Sequence, residues 1–203
     1  DIPIEEAERL RTMFPESACH PIVEVGQSAA LYWAAQGDCA KAVEILEENW
    51  GRVRQRFQQE YVIAVLPWLV TMLRLKFDGA EESEERKQGL RRAFWLGQLG
   101  RITLPFFGNN GPQILRELAL LSLFDTKLDK ARHYIGLSIK AAQNRRARYE
   151  YAQSLYALYR IERYLGAKHA GRTREESMRL LNKLNAADIF FRLERKAAQL
   201  EAA

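Results

Sequence analysis

QGDCAKAVEIL, residues 36–46, reads as a turn followed by a helix that places small Ala42 one turn before apolar Leu46. The same order returns in ERKQGLRRAF (85–94), TKLDKARHYI (126–135) and REESMRLLNKL (174–184). The small residues Ala42, Gly89, Ala131 and Ser177 lie 47, 42 and 46 positions apart, and the residues four further on are Leu46, Ala93, Ile135 and Leu181. A small side chain at one fixed place in each unit lets two helices approach closely. A period of this size means stacked helical hairpins. No segment alternates polar and apolar residues as a strand does, so the fold class is all-α.

The rest of the sequence divides around these stretches. Residues 3–14 form a short helix that Pro15 stops, and Pro21–Gln36 pairs with a helix over 39–56. A second hairpin starts near Phe57, carries Tyr61, Val65, Trp68, Leu69, Met72 and Leu73 with Pro67 as a kink, and returns over 81–104. The third pair is 112–124 with 127–143, and the fourth is 147–165 with 172–193, the last helix continuing or breaking near Phe190. At 203 residues and 47% apolar content the chain fits one helical-repeat domain over 1–203. Its start at Asp1 rather than Met, and its end inside a helical pattern, mark it as an expected piece of a larger protein.

Charge is unevenly spread. Residues 1–50 hold three basic and ten acidic side chains, a balance of −7, whereas residues 86–203 hold 23 and ten, a balance of +13. A basic half of this kind faces a nucleic acid, an anionic partner or an acidic surface of the parent protein, or is simply a solvated face. Two cysteines, Cys19 and Cys39, make no disulfide framework, so a reducing, cytoplasmic location is expected. The longest apolar run, Tyr61–Leu73, is too short for a bilayer that needs about 20 apolar residues, so no membrane partner is expected.

Motifs for catalysis are missing. Neither a Walker-type phosphate loop nor G-x-G-x-x-G occurs, and Gly97 and Gly100 read as close-packing positions on a helix. His20, His133 and His169 have no i, i+4 partner or C-x-x-C companion, and the carboxylates at 47–48 and 81–85 read as solvated faces and helix starts. The chain is therefore read as non-enzymatic, with no catalytic residue, metal or cofactor. An enzyme with an unrecognised site stands as the weakest alternative.

Ala30, Gly37, Ala42 and Leu46, and again Ala119, Ala131 and Ile135 in LALLSLFDTKLDKARHYI (118–135), resemble the tetratricopeptide family in spacing. The repeats exceed that family's usual 34 residues, the turn glycine is missing in the third unit, and the second and fourth units match poorly. The longer repeats, KARHYIGLSIKAAQNRRARYEYAQSLYALYRI (130–161) above all, are similar to the C-terminal sensor arms of STAND-class bacterial signalling ATPases. The resemblance implies a right-handed helical-hairpin solenoid of about four hairpins, whose first helices line a concave groove.

That alignment nominates groove residues. Positions flanking Ala119 give Arg116 and Leu120, and matching Ala152 to Ala119 gives Tyr149, Gln153 and Tyr156, with Arg160 and Arg163 on the same face. Tyrosine supplies rigid contact area with a polar tip, and arginine forks onto carboxylates. The competing reading packs the tyrosines between helices and lets the arginines snorkel. The first unit offers Gln27 and Leu31 where a clamp for a chaperone tail wants Lys and Asn. The leading expectation is a non-catalytic protein-interaction or ligand-sensing segment of a larger signalling protein. Its partner would be a protein, a peptide or another domain of its own parent chain. The alternative is a nucleic-acid-binding helical array using the basic C-terminal half.

Overall fold

The structure, a computed structural model, describes residues 4–13, 19–54, 64–106 and 108–194. Among them are ten α-helices and no strand: α1 (Ile4–Met13), α2 (Cys19–Ala35), α3 (Cys39–Val53), α4 (Val65–Phe77), α5 (Glu84–Ile102), α6 (Gly111–Phe124), α7 (Leu128–Asn144), α8 (Arg148–Tyr164), α9 (Ala170–Lys183) and α10 (Ala187–Leu193). A short 3-10 turn, Gly108–Asn110, precedes α6. Phe14, Pro15, Phe57 and Tyr61, which the sequence placed in or beside helices, lie outside the described residues. Pro67 falls in the first turn of α4 rather than kinking its middle, where its missing N–H costs nothing. The expected helix over 172–193 is two helices, broken at 184–186. No helix among the described residues is long and apolar enough to cross a membrane.

The chain forms two compact units, one of residues up to Ala93 together with those from Phe191 onward, the other Phe94–Phe190. In the first, α1 packs on α2, α2 on α3 and α3 on α4; in the second, α6 packs on α7, α7 on α8 and α8 on α9, with α6 also against α8. Ala42, Ala131 and Ser177 are fully buried, as are the register residues Leu46, Ala93, Ile135 and Leu181. Gly89 keeps the same role by another route: a Cβ there would stand 1.9 Å from the Phe77 ring. Close approach at these small residues also brings polar groups into range. Ser177 Oγ donates to the Ala152 carbonyl (2.7 Å) and Ser138 Oγ to that of Pro112 (2.7 Å), stitching neighbouring helices across the seam.

Five turns share one backbone solution. Gly37, Thr126, Arg146, Gly166 and Asn185 all have positive φ, between 52° and 94°. In each, that residue's N–H donates to the carbonyl three back, and the next N–H to the carbonyl five back, as in Thr126 to Leu123 (3.0 Å) and Lys127 to Ser122 (2.9 Å). This is the Schellman arrangement that satisfies the last carbonyls of a helix. Thr126 stands in the place of the turn glycine missing from the third unit. A left-handed conformation costs a side chain with Cβ about 1–2 kcal/mol, more than glycine loses in chain entropy. Thr126→Gly is therefore expected to raise stability by about 1 kcal/mol, and Gly166→Thr to lower it comparably, both measured by urea unfolding.

The first unit also holds a buried ion cluster. Almost every residue of α4 is buried, Arg74 included at 1% exposure. Its guanidinium reaches Glu194 through two bonds, Nη2–Oε1 at 2.5 Å and Nη1–Oε2 at 3.2 Å, with Asp78 Oδ2 at 3.5 Å. Two carboxylates on one forked cation satisfy a charge that its surroundings otherwise desolvate.

Candidate functional site

On α8, residues 149, 153, 156, 160 and 163 recur every three to four positions, so Tyr149, Gln153, Tyr156, Arg160 and Arg163 share one face of the helix. On α6, Arg116 and Leu120 are one turn apart and likewise share a face. The two helices pack together, and the Arg116 and Leu120 face meets α8 through Glu150, Ala157 and Ile161, beside the nominated face. Arg116 Nη1 bonds Glu150 Oε2 at 2.5 Å, with Glu117 Oε1 3.9 Å from its Nε. Leu120 joins Ala157 and Ile161 in the core, and the Arg160 guanidinium lies 5.9 Å from the Phe124 ring centre.

The seam is closed where an open groove was expected. Arg116 (6% exposed), Leu120, Gln153 and Tyr156 (2% exposed) are buried, Tyr149 and Arg160 are half-buried, and Arg163 alone of the seven is exposed. The expectation that the nominated residues line an accessible surface is corrected for Arg116, Leu120, Gln153 and Tyr156. The reason is local. Glu150 and Glu117 take the Arg116 charge inside the hairpin pair, and Phe190 covers Tyr156 edge-on, ring centres 5.0 Å apart at 80°. Tyr159 packs on the same tyrosine at 5.6 Å, and Arg174 of α9 lies 5.9 Å over Tyr159. What remains is a cluster of Tyr156 and Tyr159 with Phe190 on the first and Arg174 over the second, while Arg160 turns to Phe124 and Arg163 is exposed further along α8.

Other polar groups are occupied locally. Arg145 folds onto the 3-10 turn, its Nη2 standing 1.9 Å from where a Cβ on Gly108 would be. His169 is not isolated, since its Nε2 lies 3.0 Å from Glu162 Oε1, and His133 packs edge-on against Tyr134. Glu81–Glu85 are exposed at the start of α5, as read from the sequence. There a hydrogen bond from Arg91, helped by Gln88, holds the Glu84 carboxyl below its ordinary range. Among the described residues no three His, Cys, Asp or Glu side chains converge to hold a metal ion.

Sequence reasoning missed Glu150 and Phe190. Glu150 adjoins Tyr149 and faces Arg116 across 34 residues, a pairing that no local pattern announces. Phe190 carried only the sign of a helix break beside it. It also missed a groove of about 370 Å³ between α1 and α2, lined by Ile4, Leu10, Val25 and Ala29 with Glu24 and Tyr32 at its polar points. No family model matches the sequence, and no curated protein matches it.

Proposed function

We propose that this chain is a non-catalytic protein-interaction or ligand-sensing helical-repeat segment of a larger signalling protein, and that its second unit receives an acidic protein or peptide. The observation that carries this reading is the pair of exposed arginines Arg163 on α8 and Arg174 on α9, the latter lying over the ring of buried Tyr159. Sixteen basic against eight acidic side chains over residues 94–190 give that face a field that attracts anionic partners. The tetratricopeptide-like register and the five matching turns support a repeat scaffold that presents such a face.

A second reading, nucleic-acid binding, rests on the exposed Lys130, Arg132, Lys140, Arg145 and Arg146 along α7 and its turn. Salt separates the two. Phosphate contacts release counterions, so binding of a DNA duplex falls with a log–log slope near −0.9 per contact. The expected result, by fluorescence anisotropy from low to high salt, is that an acidic helical peptide binds with a shallow salt dependence. Arg163→Glu should weaken it by about tenfold, because a charge-assisted hydrogen bond is worth roughly 1.5–3 kcal/mol. Tight duplex binding with a steep slope, alongside no peptide binding, would replace the proposal with the second reading.

A further inference from the structure

The C-terminal half of α5 has a packed face and an open one. Gly100 closes on α6, where a Cβ would stand 2.8 Å from the Ile114 side chain, and Leu96, one turn earlier, is buried. Trp95, Leu99 and Ile102, spaced four and three apart, share another face. Leu99 is half-buried, but Trp95 is 62% exposed and Ile102 63%. Phe106 stands four residues on, in the turns that close the helix, and is 80% exposed. An apolar strip of this kind, rich in aromatic rings, marks a surface that another protein covers. Its flank is basic. Arg101 is exposed with its Nε on Gln98 Oε1 (2.9 Å), and Arg145 reaches the turn at Gly108, just beyond Phe106.

The first unit holds a surface opposite in shape and in sign. The groove of about 370 Å³ between α1 and α2 is walled by Ile4, Leu10, Val25 and Ala29 and opens beside exposed Glu24 and Tyr32. Residues 1–50 carry a balance of −7, whereas sixteen basic against eight acidic side chains give residues 94–190 a balance of +8. From these two surfaces we infer that copies of this chain bind head to tail: the strip of Trp95, Ile102 and Phe106 on one copy seats in the α1–α2 groove of the next. Apolar anchors at helical spacing laid into an apolar groove are a recurring mode of recognition, and opposite charge steers the approach. Pairing strip with strip would instead set two basic units against each other. Because the two surfaces differ, each added copy presents a fresh strip or groove, so the assembly grows into a filament or closes into a ring. The three exposed side chains offer on the order of 400 Å² of apolar surface, about half of what a standard interface takes from each partner. The contact is accordingly weak, and association appears from micromolar concentrations upward.

Sedimentation equilibrium of the full chain, from micromolar to near-millimolar concentration, should give a mass that climbs past the dimer. Phe106→Asp, which charges the strip, and Ser28→Trp, which fills the groove from an exposed position, should each stay monomeric. Mixed in equal amounts they should form a one-to-one pair and nothing larger, since one supplies the groove and the other the strip. An unaltered chain that stays monomeric, a mass that levels at the dimer, a monomeric mixture, or a Ser28→Trp chain that assembles like the parent would each overturn the inference. Should either variant lose its helical circular dichroism, Ile102→Asp replaces the first and Val25→Glu the second. Arg163, on which the acidic-peptide result depends, lies on α8 outside both surfaces, so the two tests fail or succeed separately.

Discussion

Arg74→Ala is expected to lower stability by about 3–5 kcal/mol, because it removes the buried cation that two buried carboxylates face. The Arg74 guanidinium is 1% exposed and clasped by Glu194 and Asp78, so its removal leaves charge in a desolvated place. Desolvation, rather than the lost attraction, sets the size of the effect. It follows that Arg74→Met combined with Glu194→Leu and Asp78→Leu should recover most of the loss, since apolar groups of similar volume replace a buried ion cluster at little cost. Urea unfolding of the two variants measures both quantities. A loss below 1 kcal/mol for Arg74→Ala would show that the cluster is solvated in solution.

Leu181→Ala is expected to cost about 2–5 kcal/mol, the range for truncating an enclosed leucine whose site does not collapse. Leu181 has no exposed surface and stands four residues after Ser177, the small member of the same helix register. Leu184, three residues on and 36% exposed, supplies the control: Leu184→Ala should fall within about 0.5 kcal/mol of the parent. Equal losses at the two leucines would mean that α9 turns a different face to α8 in solution.

How much of this was readable in the chain depends on the range of the interaction. Ala42, Ala131 and Ser177 were legible because a helix's contact face repeats every three to four residues, and small side chains mark where two backbones close in. The stripe of Tyr149, Tyr156, Arg160 and Arg163 was legible for the same reason. What covers that stripe was not. Periodicity says which side chains point one way and is silent on whether a glutamate or a phenylalanine from elsewhere meets them. Hence the burial of Arg116 by Glu150, and of Tyr156 by Phe190, escaped a one-dimensional reading. Arg74 and Glu194 are 120 residues apart and share no local pattern at all. Thr126 was opaque for a different reason. Its own preference disfavours positive φ, and only the two helices it joins force it there.

The spread of sequence separations also governs the order of events as the chain folds. Hairpins closed by three-residue turns bring together residues close in sequence, and chains dominated by such contacts fold in microseconds to milliseconds. The Arg74–Glu194 clasp is the opposite case. Bringing together ends 120 residues apart costs about 4 kcal/mol in loop entropy when the intervening chain is still open, and far less once the helices between have formed. The clasp therefore closes late, after the hairpins, and its opening is an early step of unfolding. Strengthening it should slow unfolding and leave the folding rate nearly untouched.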